Sequence, residues 1–343
     1  MKRIRKKTIL RTFILILIAA LFALGLFAVS RYFGLGDAEV SSSAEAEADP
    51  YADDDDVARI FYQGAWYRQK KNCRTFLLIG VDDQGEQKDY GSNINHAQAD
   101  FLMLFIIDDD KETYSALQLN RDTMTEIVIL GAFGDRLGQE VAQLALAHTY
   151  GSGLNDSCEL TMDAVSGLLF GTRVDHYAAL SMDAIGIMND QVGGVTVTVP
   201  VDLTSEDPAL REGASVTLNA DQAEIFVRAR RGLEDPTNLA RMDRQRVFLD
   251  AWKETALSRA QSDGNFVLDL AMSLSDYLVS DMTVNQLSDF ANALIEYQDQ
   301  GVQVTRGNNV VGDEFMEFYV DQQALQAQVV ELFYEKDESF QPG

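Results

Sequence analysis

The sequence predicts an α/β fold, an α-β-α sandwich around a central mixed β-sheet, preceded by one transmembrane helix. Three observations predict it. A charge-free apolar run near the N-terminus approaches the length of a bilayer span. Short continuous apolar runs beyond it read as buried strands. Segments of helical periodicity alternate with those strands, as in layered α/β domains. The 343 residues allow one large domain or two small ones, and no internal repeat is visible.

Lys2, Arg3, Arg5, Lys6 and Lys7 precede the run Thr12–Val29, which carries no charge. With residues 9–30 as the span, Arg11 can snorkel to the interface. The basic flank predicts that residues 1–8 are a cytoplasmic tail and that the remainder lies outside the cell. Ala28-Val29-Ser30 resembles a cleavage site. The run is longer than the usual signal-peptide core of about 7–15 residues, so an uncleaved anchor is expected. Residues 31–72 read as an acidic extracellular linker, rich in Asp, Glu and Ser. It ends in an amphipathic lead-in helix over 59–71 with Ile60, Phe61, Trp66 and Tyr67.

The folded domain is placed at 73–337, with 338–343 as a C-terminal tail. Thr75–Val81 and Phe101–Ile107 are unbroken apolar runs and predict buried strands. Thr113–Asn120 alternates and predicts a third. Helices are expected at Gln139–Tyr150, Leu160–Phe170 and Ala184–Asn189, and strands at Tyr177–Ser181 and Val195–Val199, the latter after a Gly193-Gly194 turn. Asn219 with Gln222 three residues on predicts a capping box and a helix to about Arg228. Asp235-Pro236-Thr237-Asn238 breaks that helix, and a long one follows from Leu239 to about Ser258. Further helices fit 265–277, 284–297 and 322–335, with strands at 302–306 and 316–320.

The chain carries 28 basic and 54 acidic residues, a net charge of −26. Seven of the basic residues lie in 1–31, which has no acid, leaving 21 against 54 beyond it. So acidic a domain argues against nucleic-acid binding. Against that background, 228–246 holds six of the 15 arginines beyond residue 31: Arg228, Arg230, Arg231, Arg241, Arg244 and Arg246. A guanidinium fork matches phosphate oxygens two at a time, so the cluster points to a multiply charged anion. The alternative is a solvated face paired with Glu234, Asp235 and Asp243. Helical spacing puts Arg241 and Gln245 on one face. Upstream, the strands end in charge: Asp82 and Asp83 after the first, Asp100 before the second, Arg121-Asp122 after the third. Carboxylates hold Mg²⁺ and arginines clamp phosphate, so together these are the parts of a pyrophosphate site.

Cys73 and Cys158 fit no zinc pattern and are either one disulfide or two buried thiols. With only His96, His148 and His176, a multi-histidine metal site is not expected. His148 reads as structural.

Six segments carry a family resemblance. They are TFLLIGVDD, QADFLMLFIID and ALQLNRDTMTEI, then LALAHTYG, then DHYAALSMDAIGIMNDQVGGVTVTVP, then LNADQAEIFVRARRGLEDPTNLARMDRQRVFL. Over roughly 73–335 the chain resembles the LytR-CpsA-Psr family. Two positions depart from its pattern: Ala99 stands where Ser or Thr is usual, and Asn120 where Pro is usual. The resemblance implies a membrane-anchored phosphotransferase that moves a glycopolymer from a polyprenyl-pyrophosphate carrier to peptidoglycan through a phosphodiester. It implies Asp82 and Asp100 as Mg²⁺-associated acids, and Arg121, Arg228, Arg230, Arg241 and Gln245 as pyrophosphate contacts. Asp122 would orient Arg121, and Asp82 would accept a proton, making Asp82, Arg121 and Asp122 the catalytic set. An apolar groove for the polyprenyl chain is expected between the sheet and the helices around 139–170. The polymer remains open among teichoic acid, capsule or another glycan. Two other activities need the same residues: a non-catalytic lipid-pyrophosphate or wall-binding regulator, and a pyrophosphatase that hydrolyses the carrier linkage.

Overall fold

The computed structural model describes residues 58–229, 237–263, 265–282, 286, 290, 297–312 and 315–340. The expected tail, membrane span and most of the acidic linker lie outside these residues. Among the described residues no helix is long and apolar enough to cross a membrane.

The described chain opens with β1 (Arg59–Tyr62) and β2 (Ala65–Gln69), not with the expected lead-in helix. Gln63 and Gly64 both take positive φ, +48° and +80°, the combination a two-residue hairpin turn of type I′ requires. Phe61 and Trp66, paired across that hairpin, stack at 5.3 Å. β3 (Cys73–Val81), β4 (Ala99–Asp108) and β5 (Thr113–Leu119) follow, almost wholly buried, as the unbroken apolar runs of the first two demand. β6 (Met124–Leu130) and β7 (Arg136–Gln143) form an antiparallel hairpin. The helix expected over Gln139–Tyr150 is therefore the end of β7 followed by a 3₁₀ segment, Leu144–Thr149. Helix α1 (Asn155–Leu168) leads to β8 (His176–Ser181), and α2 (Asp183–Gln191) follows. Gly193 and Gly194, at φ +82° and +93°, turn the chain into β9 (Thr196–Thr198), which pairs with β10 (Ser215–Thr217).

Helix α3 (Ala220–Arg228) starts on the expected capping box. Asn219 Oδ1 accepts from the Gln222 N–H at 2.8 Å, and Gln222 Oε1 accepts from the Asn219 N–H at 3.2 Å. The long α4 (Asn238–Ser262) buries Trp252, whose Nε1 donates to the Met188 carbonyl of α2 at 2.8 Å. Then come α5 (Phe266–Leu274), β11 (Leu278–Ser280), β12 (Gln298–Val304), β13 (Gly307–Val311), β14 (Met316–Val320), α6 (Gln322–Phe333) and β15 (Tyr334–Lys336). The helix expected over 284–297 falls largely outside the described residues.

Six strands form the central mixed sheet, ordered β11-β8-β3-β4-β5-β12. β3 runs parallel to β8 and β5 parallel to β12, and the other pairs are antiparallel. One face, with Leu77, Ile79, Leu102 and Leu104, packs on α1, the 3₁₀ segment and α6. On the opposite face Phe76, Leu78, Met103 and Phe105 form a second core with Met282, Phe290 and Leu249 of α4. A third core joins α2, α3, α4 and α5 to the strands β9 and β10. The expected α-β-α layering follows from strands apolar on both faces.

β15 pairs with β2, so residues 59–69 and the C-terminal segment close on each other. Arg59 Nε bonds Asp337 at 3.0 Å across that junction.

Candidate functional site

The antiparallel order β3-β4-β5 decides where the charged strand ends fall. The end of β3, the start of β4 and the end of β5 lie side by side at one edge of the sheet. Asp82 follows β3, Asp100 is the second residue of β4, and Arg121 lies two residues past β5. The β3–β4 register supplies a further detail. Gly80 pairs with Phe101 and Val81 with Ala99, so Asp100 is the extra residue of a bulge. Bulges bend a strand locally and re-aim a side chain.

Asp100 is buried and holds two guanidiniums. Arg121 Nη1 donates to one carboxylate oxygen. Arg241 Nη1 donates to the other at 2.9 Å, and Arg241 Nη2 to the Asp100 carbonyl at 3.1 Å. Arg121 Nη2 also meets Gln98 Oε1. Asp122 Oδ1 lies 3.3 Å from Arg121 Nε and accepts from Gln143 Nε2 at 3.2 Å. Arg228, the last residue of α3, donates to Asp82 at 2.5 Å and to Glu224 one helical turn back. Burial works against the Arg228 charge. Glu224, Asp82 and Asp100 outweigh it, so the guanidinium is held above its ordinary pKa.

Asp82, Asp100, Arg121, Arg228 and Arg241 therefore line one polar cleft, with Glu206, Asp221 and Glu224 on its α3 side. Gln245, one turn beyond Arg241, accepts from Gln118 Nε2 at 3.3 Å. It lies in the wall of a second, apolar cavity. Leu78, Phe101, Ile185, Met188, Phe248 and Leu274 are among its lining residues. The two cavities share Asp100, Arg228 and Arg241. This places the apolar space between the sheet and α2, α3, α4 and α5. The groove expected beside residues 139–170 is on the wrong face. There β7, the 3₁₀ segment and α1 pack against the first core, which contains Leu144, Ala147, Val165 and Leu168.

Arg230 and Arg231 lie outside the described residues. Arg244 and Arg246 do not line the cleft. Buried Arg244 donates to the Phe226 and Ala229 carbonyls, and Arg246 pairs with Asp243 and Gln118. Gln98 and Glu224 escaped sequence reasoning. The i to i+4 spacing of Glu224 and Arg228 was the available signal. Gln98, in a loop, offered none.

Both cysteines are free and buried, and burial pushes the Cys73 thiol up to about 12. His148 is fully buried, with Nδ1 2.9 Å from the Ala97 carbonyl, so it is structural as expected. Among the described residues no group of three or more His, Cys, Asp or Glu is placed to hold a metal.

Comparison with known proteins agrees with the fold. The polyisoprenyl-teichoic acid–peptidoglycan teichoic acid transferase TagU of Bacillus mycoides is 25% identical over 255 residues, 74% of this chain and 75% of that one. Among solved structures, protein gbs0355 from Streptococcus agalactiae aligns with a TM-score of 0.58 and 20% identity, over 76% of this chain and 87% of its own. TagT bound to LI-WTA aligns with a TM-score of 0.55 and 20% identity, over 76% and 90%. The LytR_cpsA_psr family model matches residues 36–335, and the chain belongs to that family.

Proposed function

We propose that the protein is a membrane-anchored phosphotransferase that moves a glycopolymer from a polyprenyl-pyrophosphate carrier to peptidoglycan. One observation carries this reading: an apolar cavity opens into a cleft of three arginines and shares Asp100, Arg228 and Arg241 with it. Such a pair of spaces suits an amphiphile with a hydrocarbon tail and a multiply charged anionic head. The TagU relative, named for teichoic acid transfer to peptidoglycan, supports the same direction.

In this reading Arg121, Arg228, Arg230 and Arg241 bind the pyrophosphate, with Gln245 at the junction with the tail. A peptidoglycan sugar hydroxyl attacks the polymer-proximal phosphorus, forming a P–O bond. The anhydride P–O bond breaks and the lipid phosphate leaves. Arginines aimed at the anhydride stabilise charge that grows on the leaving oxygen. Asp82, about two-fifths exposed at the cleft mouth, is the acceptor for the hydroxyl proton. Asp122 keeps Arg121 in the plane this requires.

Asp82 and Asp100 are the residues that would hold Mg²⁺, since both offer hard carboxylate oxygens in a cleft lined by no thiol or imidazole; to do so they would exchange the guanidiniums of Arg228, Arg121 and Arg241 that engage them. When bound, the ion would neutralise pyrophosphate charge. Residues 9–30 would anchor the chain, with the N-terminus cytoplasmic and the domain at the outer face of the cell membrane.

The test is incubation of the full chain in detergent with a polyprenyl-pyrophosphate sugar, Mg²⁺ and peptidoglycan oligomers. A glycan–peptidoglycan conjugate should form, and Arg121→Ala should abolish it while thermal unfolding confirms that variant is folded. Free phosphorylated glycan without conjugate would replace the reading by a pyrophosphatase. Tight lipid binding with no product would replace it by a binding protein.

A further inference from the structure

Two arginines converge on Asp100 from distant parts of the chain, and a chain of buried side-chain hydrogen bonds joins them behind the cleft. Arg241 Nε donates to Asn238 Oδ1 at 2.8 Å. Asn238 Nδ2 donates to Asn120 Oδ1, also at 2.8 Å. The same Asn120 oxygen accepts from the Asp122 backbone N–H at 3.0 Å. Asn120 immediately precedes Arg121, and Asn238 opens α4. Both asparagines are fully buried, and neither lines the polar cleft or the apolar cavity.

We propose that Asn120 and Asn238 are positioning residues that lock the turn carrying Arg121 to the first turn of α4, so that both guanidiniums meet on Asp100. This deepens the pyrophosphate-site reading and rests on it for the binding consequence. The geometry of Arg241 is the first argument. A guanidinium is planar with donors in a fixed fork. Nη1 and Nη2 are engaged by Asp100, and Nε by Asn238. Without the Nε contact the plane can turn about the Cδ–Nε bond and lose the two-point hold.

The amide of Asn120 is the second argument. Its oxygen receives two donors, which sets its orientation and leaves Nδ2 buried without a partner. A buried unpaired donor is unfavourable. A proline at this position, usual in the family, would carry neither that donor nor the acceptor. In this chain the unpaired donor accompanies a link between β5 and α4 that spans 118 residues of sequence.

The test uses the full chain in detergent with arginine-selective isotope labelling, and reads hydrogen exchange at Arg241 Nε–H. Asn238→Ala should speed that exchange. Asn120→Ala, which removes the acceptor of Asn238 Nδ2, should speed it by about ten-fold as well. In calorimetric titration with inorganic pyrophosphate and Mg²⁺, each alanine variant should bind about ten-fold more weakly. The double variant should be no worse than Asn238→Ala alone. The proposal is overturned if Asn120→Ala leaves Arg241 exchange at the wild-type rate and only lowers the unfolding temperature. It is equally overturned if the two binding losses multiply. Should the wild-type chain bind no pyrophosphate, the site reading fails, and the exchange rates still decide the relay.

Discussion

Replacing Asp100 by alanine separates the protein's need for an anion at the centre of the cleft from its need for this particular carboxylate. Asp100 is 7% exposed, Arg121 7% and Arg241 2%. Its carboxylate takes one donor from each arginine, so its removal leaves two buried cations facing each other. Breaking a buried ion pair by deleting one partner costs about 3–5 kcal/mol, because the surviving charge is uncompensated. For a domain of this size 1 kcal/mol moves the unfolding midpoint by roughly 2–4 °C, so Asp100→Ala should melt about 6–20 °C lower. Pyrophosphate supplies the missing negative charge. A ligand that binds only the folded state stabilises it by mass action, and at 100 times its Kd contributes about 2.7 kcal/mol. Thermal unfolding of the full chain in detergent, with and without inorganic pyrophosphate, is the assay. Pyrophosphate should raise the midpoint of Asp100→Ala by more degrees than that of the wild type, in which the arginines are already neutralised. A variant melting within 2 °C of the wild type would refute the reasoning. So would a variant no more responsive to pyrophosphate, since the arginines would then not depend on Asp100 for their charge balance.

Two further outcomes follow from local geometry. A Cβ at Gly80 would meet Phe101 Cβ at 2.8 Å, and both residues line the apolar cavity. Gly80→Ala should therefore force Phe101 and β4 aside, costing about 1–3 kcal/mol in urea denaturation. The two histidines should oppose each other with pH. Burial lowers the pKa of His148, so its neutral form stabilises the fold above the unfolded value near 6.5, and that contribution is lost as pH falls below it. The hydrogen bond to Asp281 raises the pKa of His176 despite burial, so its contribution is present below about 6.5 and is lost as pH rises through the folded value. Urea titrations at pH 5 and 7.5 should show His148→Asn gaining relative stability at the lower pH, and His176→Asn at the higher.

Segments whose structure depends on near neighbours in sequence were the legible ones. The unbroken runs that became β3 and β4 carry their burial in their own composition. The Asn219–Gln222 capping box is a four-residue device and appears as expected. Residues 59–69 misled because Ile60, Phe61, Trp66 and Tyr67 satisfy a helical spacing as well as a hairpin. A Gln-Gly turn with two positive φ values and a partner strand near the C-terminus decide between them. The end of β7 misled for a similar reason, since β6 pairs it along its whole length. The apolar cavity was placed on the wrong face because an apolar residue in sequence does not say whether packing leaves space beside it. In the site, Asp82, Asp100, Arg121, Arg228 and Arg241 come together as expected, since antiparallel neighbours bring strand ends to one edge. Their mutual pairing was invisible, because it depends on a bulge at Asp100 and on how α3 and α4 cross.

The arginine cluster of 228–246 divides by what each guanidinium faces rather than by position along the chain. Arg228 and Arg241 face the cleft and end on carboxylates that an incoming anion must compete with. Arg244 lies between them in function. Its guanidinium bonds the Phe226 and Ala229 carbonyls near the last turn of α3, where carbonyls lack helical partners. That contact fastens the end of α3, and so Arg228, to the helix that bears Arg241. The acidic surroundings then serve the arginines themselves. Three arginines packed at one sheet edge would repel one another without Asp82, Asp100 and Glu224. Those acids hold the guanidiniums in an order that a pyrophosphate can enter by exchanging partners instead of by gathering loose side chains. The preorganisation has a consequence for affinity. An anion entering a neutralised cleft gains only the difference between its own hydrogen bonds and those it displaces, so the head group alone should bind weakly. Under the proposed reading, a hydrocarbon tail in the adjoining cavity would supply much of the remaining affinity. Shortening the prenyl chain should therefore weaken binding steeply at constant head group. An affinity indifferent to chain length would show that the apolar cavity is not where the tail resides.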